Sequence, residues 1–542
     1  MIFGRTNKIW QSSSWIIALA LLAPVLVMLA SSIGHSGDTF SHLWQTVLPT
    51  YISNTIWLTF GVVALSLLFG VPAALLVSQT NLYSAKVLRW ALLLPLAMPG
   101  YLVAYLYTDL FDYAGPVQRL LRELFGWQSP SDYWFFDIRT LSGATVILAL
   151  VLFPYVYMLG RTALEQQDKS LLRAGRTLGL TARQSLIKIA LPLARPAIMV
   201  AASLVMMETI ADFATVQYFA VNTLTTAIYD TWLGYSDMAA ANALASVLLL
   251  FVLFAVVAEQ KSRAGQRHQS VRPNTSNDKL VLTRMQQLLA VSFCWVLVVL
   301  GFVLPFVLLA IMAIDYAQID QLAKLGEIGL ATIEVSAYAA TIAVVISLTL
   351  ALLNRFYPVR INSLPLQISG FGYAVPGTVL AMALMASFGP LDHWLNDIAV
   401  AINIEKPGLI LSGTTFAIIF AFVVRFAAIA NGTVNSGIAK IPHSIDKAPA
   451  SLGIGLLSTI RQVHLPLLKS SILVAWLLVF VEAMKELPAV LLLRPFNFET
   501  LSTFIYQLIS DEQLEQGAIG AIFIVLFGLI PIVWLNKDNQ SS

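Results

Sequence analysis

The sequence predicts an all-α polytopic membrane protein of about twelve transmembrane helices, arranged as two parallel six-helix repeats. Composition is the first reason. The 542 residues are 58% hydrophobic and only 11% charged, with mean hydropathy +0.78, whereas a soluble domain carries about 25% charged residues. Apolar runs long enough to cross a ~30 Å hydrocarbon core recur along the whole chain. Finally, one pattern occurs twice, 274 positions apart: Gly, nine residues, a β-branched residue, one residue, Leu-Pro.

Spans are expected around Pro24, Leu67, Leu96, Leu150, Ala202, Leu250, Val299, Ala343, Leu380, Phe420, Ala475 and Leu526. The first follows Arg5 and Lys8. Its run from Trp15 to about Ile33 is longer than the core of a secretory leader, and Met28-Leu29-Ala30 is a poor cleavage site, so a retained span is predicted. Lys and Arg set the orientation. With the N-terminus inside, segments 1–13, 79–89, 161–195, 260–284, 355–360, 425–469 and 537–542 face the cytoplasm and hold 25 of the 32 Lys and Arg. Outer segments 34–53 and 217–239 hold none. Both termini are therefore placed in the cytoplasm.

An even number of spans per half inserts both halves the same way up. Residues 1–259 make the first repeat, 260–283 a cytoplasmic linker and 284–542 the second repeat. Shorter echoes share an offset of 274 to 277: Pro99-Gly100 with Pro376-Gly377, Gly115-Pro116 with Gly389-Pro390, and Thr55-Ile56 with Thr332-Ile333. The one cysteine, Cys294, excludes an intramolecular disulfide and a multi-thiolate metal site. It reads as a buried, inert thiol. His35, His42 and His393 are too scattered to form a metal site.

The repeated pattern lies in two basic inner loops, about 164–192 and 438–466. Gly179 and Gly453 permit a sharp turn between short helices. Leu178 and Leu452 precede them. Ile189 and Leu191, like Val463 and Leu465, put apolar side chains where each loop returns to the membrane. Pro192 and Pro466 suit the first turn of the next span. A short basic helix bearing exposed leucines, present twice, reads as a duplicated docking surface. A loop that merely fixes topology would not need the same spacing twice.

Charged residues within spans are costly, about 2.5–3.5 kcal/mol on insertion scales, and mark function by default. Glu208 and Asp212 lie in the outer half of the fifth span, and Glu482 and Glu486 lie 274 positions later in the eleventh. The i, i+4 spacing predicts that each pair shares one helix face. Lys485 stands three residues from Glu482 and can neutralise it. Two readings stand: a carboxylate-lined pathway for a hard cation, or ion pairing that fixes helix packing. Arg494, with Asn497 and Glu499, is an outer basic site suited to docking a soluble protein or to anchoring at the interface.

The loops resemble the motif of ABC importer permeases, Glu-Ala-Ala, three residues, Gly, nine residues, Ile, one residue, Leu-Pro. Ala174 and Gly175, then Ala448 and Pro449, stand at its two Ala positions, while Arg173 and Lys447 replace its Glu. The resemblance implies that Leu178, Leu452, Ile189 and Val463 fill grooves on two copies of a cytoplasmic ABC ATPase, and that a periplasmic solute-binding protein delivers substrate. ATP and Mg would sit on the ATPase. The chain lacks a Gly-x-x-x-x-Gly-Lys-Ser/Thr loop, so no enzyme activity, bound cofactor or nucleic-acid partner is expected of it. Longer words are similar to the ferric-iron branch: Asp212-Phe213-Ala214-Thr215-Val216-Gln217-Tyr218-Phe219, Lys485-Glu486-Leu487-Pro488-Ala489-Val490, Leu491 through Leu501, and Leu94-Pro95-Leu96-Ala97-Met98-Pro99-Gly100-Tyr101. That likeness implies ferric iron as cargo and a bacterial inner membrane as location. Thiamine, sulfate or phosphonate permeases remain alternatives, as does an ion-coupled carrier of six plus six spans.

Overall fold

The computed structural model describes residues 8–32, 38–263, 279–316, 319–451 and 454–538. Among these the regular structure is helical, apart from one isolated bridge between Thr80 and Leu280. Ten helices are long and apolar enough to cross a membrane, and two bent helix pairs raise the number to as many as twelve. The labels used below are α1 Lys8–Ser32, α2 Leu48–Gln79, α3 Gly100–Phe111, α4 Leu141–Glu165, α5 Leu191–Ala211 and α6 Met238–Arg263. In the second half they are α7 Arg284–Asp315, α8 Ile319–Phe356, α9 Gly377–Ala401, α10 Thr415–Ala439, α11 Leu465–Lys485 and α12 Leu514–Asp538.

The spans expected around Leu96 and Leu380 are the bent pairs. Ala85–Ala97 meets Gly100–Phe125 at 89°, and Ile361–Ala374 meets Gly377–Ala401 at 114°. The echoed Pro-Gly pairs cause both breaks. A proline pushes the residue before it out of helical geometry, and Met98 (φ −91°, ψ 119°) and Val375 (φ −82°, ψ 120°) are extended. The Gly-Pro echo behaves differently. Gly115-Pro116 opens the separate helix Pro116–Phe125, whereas Gly389-Pro390 lies inside α9.

Three Leu-Pro pairs that lie within long continuous helices share a local effect. Single π-helical turns, Leu186–Ala190, Val299–Val303 and Ile460–His464, each end immediately before a Leu-Pro pair. A proline within a long helix donates no hydrogen bond and crowds the carbonyl four residues back. A wider turn relieves that clash without ending the helix.

Contacts group the chain into two compact units. One comprises Thr46–Thr226, Leu250–Ala317 and Ile505–Ser542; the other comprises Met1–Gln45, Ala227–Leu249 and Gln318–Phe504. The first is built on α2, α4 and α5 packed together, with α7 against α12. Its α2 and α4 approach so closely that a Cβ on Gly70 would lie 2.6 Å from the Val156 Cβ, the small-residue contact that membrane helices use. The second unit is built on the equivalent trio α8, α10 and α11, with α1 packed on α9. The compact units therefore do not coincide with segments 1–259 and 284–542. The sequence halves record what is duplicated; the units record which apolar faces meet. Cys294 is buried.

Candidate functional site: docking loops and intramembrane carboxylates

The first loop contains helix Lys169–Thr177, capped by Asp168, whose carboxylate accepts from the Ser170 N–H. That backbone hydrogen bond holds the Asp168 carboxyl below the usual carboxylate range. Gly179 has φ +90°, a left-handed conformation that L side chains resist. Thr181 and Gln184 then form a capping box that starts the next helix. Leu178 is 84% exposed and Leu171, seven residues earlier, 45%; two helical turns put them on one side of the short helix. Ile189 sits differently from expectation. A Cβ on Gly175 would lie 2.5 Å from the Ile189 Cδ1, so this side chain packs back onto the loop's own helix. The exposed apolar groups of the loop are Leu171, Leu178 and Ile187. Leu191 is half-buried and Pro192 exposed at the start of α5.

In the second loop, Leu452 and Gly453 lie outside the described residues. Helix Ser444–Ser451 precedes them; Leu456–Thr459 and the π turn lead into α11. Leu457 is 80% exposed, Val463 half-buried, and Leu465 exposed next to Pro466. Asp446 is enclosed by Arg355, at the end of α8, and by His464.

The carboxylates occupy matching breaks in the backbone. α5 ends at Ala211 and α11 at Lys485, so Asp212 (φ −65°, ψ 130°) and Glu486 (φ −66°, ψ 124°) are the extended residues just past each helix. Glu208 and Glu482 remain on the helices. The single helix face inferred from i, i+4 spacing is thus interrupted within each pair. Asp212 accepts from the N–H groups of Thr215 (3.1 Å) and Val216 (3.2 Å) and from the Thr215 hydroxyl (2.9 Å). Glu486 accepts from the Ala489 N–H at 3.2 Å. Each carboxylate caps the short helix that follows, Ala214–Tyr218 or Pro488–Leu493.

The surrounding bonds repeat as well. Thr225 donates to the Asp212 carbonyl at 2.9 Å, and Ser502 donates to the Glu486 carbonyl at 2.8 Å. The Leu224 N–H donates to the Thr55 hydroxyl at 3.0 Å, and the Leu501 N–H to the Thr332 hydroxyl at 2.9 Å. The Thr-Ile echo is thereby explained: each threonine satisfies a buried backbone donor. The Pro-Gly echo places a glycine beside each acid. A Cβ on Gly100 would lie 2.8 Å from the Thr215 Oγ1, and one on Gly377 would lie 2.5 Å from the Glu486 Oε1.

One charged residue changes the second site. Arg425, assigned above to a cytoplasmic segment, lies in the middle of α10 with its side chain 9% exposed, its Nε 3.3 Å from the Glu486 Oε2. The cue was present: Ala421-Phe422-Val423-Val424 and Phe426-Ala427-Ala428 flank it with apolar residues on both sides. Glu482 pairs with Lys485 at 3.1 Å as expected. Both carboxylates of the second site thus face a cation, whereas the hydrogen-bond donors around Asp212 given above are neutral. Among the described residues no group of three or more His, Cys, Asp and Glu could hold a metal ion. On the outer side, Arg494 lies 3.6 Å from Glu499. Asn497 has φ 62° at the tip of that loop, where Phe496 is 94% exposed.

Ten to twelve apolar spans among the described residues, paired breaks and twin basic loops are the architecture expected of a membrane transport permease. Comparison with known proteins agrees. Residues 66–263 match the family described as binding-protein-dependent transport system inner membrane component. The chain is 24% identical over 96% of its length to the Fe(3+)-transport system permease protein FbpB 2 of Haemophilus influenzae, covering 96% of that protein. It is 26% identical over 98% of its length to the ferric transport system permease protein FbpB of Actinobacillus pleuropneumoniae, covering 80% of that protein. A shorter match, 28% identical over 40% of this chain, is to a putative 2-aminoethylphosphonate transport system permease protein, PhnU, of Salmonella typhi. On fold and relatives together, this chain is a multi-pass inner-membrane protein similar along nearly its whole length to ferric transport permeases.

Proposed function

We propose that this chain is the two-repeat permease of an ATP-driven importer of ferric iron. The observation that carries the cargo is the match over nearly the whole chain to two ferric permeases, named for that substrate. The local matches support the same architecture, since the carboxylate sites and their hydrogen bonds are built twice.

In this reading a separate ATPase docks one copy on each basic loop, with Leu171, Leu178 and Ile187 as the apolar contacts of the first. ATP and Mg belong to that subunit, and this chain carries no cofactor of its own. Both termini are cytoplasmic, which puts the loops on the ATPase side and Arg494 and Phe496 outside. A periplasmic binding protein docks there. The exposed Phe496 beside an Arg494–Glu499 pair has the aromatic and guanidinium character enriched in protein interfaces. The carboxylates Glu208, Asp212, Glu482 and Glu486 line the pathway of each repeat and ligate iron transiently, as oxygen donors suited to a hard cation.

The test is uptake of radioactive ferric iron by cells lacking this gene, with and without the intact chain restored. Restoration of iron uptake, with 2-aminoethylphosphonate, thiamine and sulfate uptake unchanged, is the expected outcome. A deficit confined to one of the other solutes would replace the cargo and leave the permease class standing.

A further inference from the structure

The second docking loop is built around a buried charge cluster. Asp446 lies on helix Ser444–Ser451 and its side chain is 3% exposed, as is that of Arg355. The Arg355 Nη2 lies 2.9 Å from the Asp446 Oδ2, and its Nε donates to the same oxygen at 3.0 Å. His464, fully buried in the π turn, places its Nε2 3.0 Å from the Asp446 Oδ1. Its ring stands edge-on to Phe356 at 5.1 Å. The remaining Arg355 donors reach backbone carbonyls: Ile438 at the end of α10 (2.9 Å), then Ile441 (3.0 Å) and Pro442 (3.3 Å). One guanidinium therefore ties the docking helix to α8, to α10 and, through Asp446 and His464, to the start of α11.

Among the described residues, the first loop has no such cluster in register. α2 and α8 end 277 positions apart, at Gln79 and Phe356, which puts Ser78 opposite Arg355. The loop motif is offset by 274, which puts Leu172 opposite Asp446 and Ala190 opposite His464. All three are buried and uncharged; the Ser78 hydroxyl donates back to its own helix at the Ala74 carbonyl. The bonds at the two loop positions are neutral: the Ser185 hydroxyl donates to the Leu172 carbonyl (3.2 Å) and Gln167 to the Ala190 carbonyl (2.8 Å).

Resting on the permease reading above, we propose that Arg355, Asp446 and His464 form a rigid joint that transmits movement of the docked ATPase from the second loop into α8, α10 and α11, and that the first loop transmits through softer contact. A buried ion cluster is weak evidence for stability, because well-packed apolar groups replace such clusters at little cost. Its orientation is fixed, however, by several hydrogen bonds to one carboxylate, and bidentate Arg–carboxylate pairs add geometric specificity. The three are positioning residues; none is placed among the groups that contact ATP or iron.

The first loop supplies the test variant. Arg355→Ser, Asp446→Leu and His464→Ala together install in the second loop the residues that already occupy the first. The chain, its ATPase and its binding protein are reconstituted in vesicles, and ferric iron imported per ATP hydrolysed is measured on purified, folded complex. Import per ATP is expected to fall at least tenfold in the triple variant and in Asp446→Asn, and less than threefold in Leu172→Ala. A purely structural role would reduce the yield or thermal midpoint of the complex without changing that ratio. Import per ATP within twofold of the parent, in the triple variant, overturns the joint. If the unmodified complex instead couples hydrolysis to another solute, the iron reading falls and the same ratio, taken with that solute, still decides the joint. Failure of the unmodified chain to bind any ATPase overturns both.

Discussion

Asp212 and Glu486 occupy the same backbone position in the two repeats, yet they are held in different ways. Both follow the last helical residue of a span, both cap a short helix, and both have their carbonyl held by a hydroxyl. The neighbour across the site differs. α4 and α10 begin and end 274 positions apart, so Val151 stands in register with Arg425. The first site solvates its acid with backbone amides and Thr215; the second pairs its acid with a buried guanidinium. Duplication has kept the devices that shape the backbone and let side-chain charge diverge. The docking loops show the same division at the positions in register with Asp446 and His464, uncharged in the first repeat and charged in the second.

Four predictions probe this comparison. Arg425→Met should have the largest effect, because it leaves Glu486 buried without its cation; breaking one side of a buried pair costs about 3–5 kcal/mol. Adding Glu486→Gln to that variant should recover most of the loss in thermal stability of the purified protein, whereas Asp212→Asn, whose hydrogen-bond donors are neutral, should show no comparable coupling with Val151→Ala. Additive losses in the Arg425/Glu486 cycle would break the distinction between the sites.

Gly377→Ala comes next. Its Cβ would meet both the Glu486 Oε1 at 2.5 Å and the Arg425 Nη1 at 2.8 Å, whereas Gly100→Ala meets chiefly the Thr215 hydroxyl at 2.8 Å. Overpacking costs about 1–3 kcal/mol, and the second-repeat variant should lie at the upper end. Equal midpoints for the two alanine variants would contradict the tighter second site.

The third prediction concerns what the repeats share. Thr55→Val and Thr332→Val each strip a hydroxyl acceptor from a buried N–H, of Leu224 and Leu501 respectively. An unsatisfied buried donor costs about 1–3 kcal/mol. The two losses should agree in chemical denaturation, since the geometry is the same; a clear difference would mean that the conserved scaffold has also diverged. Gly179→Ala should have the smallest effect on stability, about 1 kcal/mol from the left-handed backbone alone. Its greater consequence should be weaker ATPase binding, measured by titration, as the turn presenting Leu178 relaxes.

Much of the molecule was legible in the sequence because its causes are local. Membrane class follows from composition, and the duplication follows from repeated spacing. Pro99, Pro376 and the Leu-Pro pairs within long helices act through their own rings on the residues beside them, so the breaks and two of the three π turns lie where the sequence repeats. Lys485 beside Glu482 is a one-turn contact that spacing alone predicts. The tertiary structure decided what depends on residues far apart in the chain. Arg425 and Glu486 are separated by 61 positions, and only the packing of α10 near the end of α11 makes their meeting visible. A rule that counts Arg as cytoplasmic misplaced Arg425 because a buried partner offsets the cost of leaving water. Ile189 turned inward for the same kind of reason: Gly175, fourteen residues earlier, leaves room for it. The compact units, too, exchange segments between the sequence halves, because a span packs wherever a complementary apolar face is offered, and periodicity along one helix does not name the face it meets.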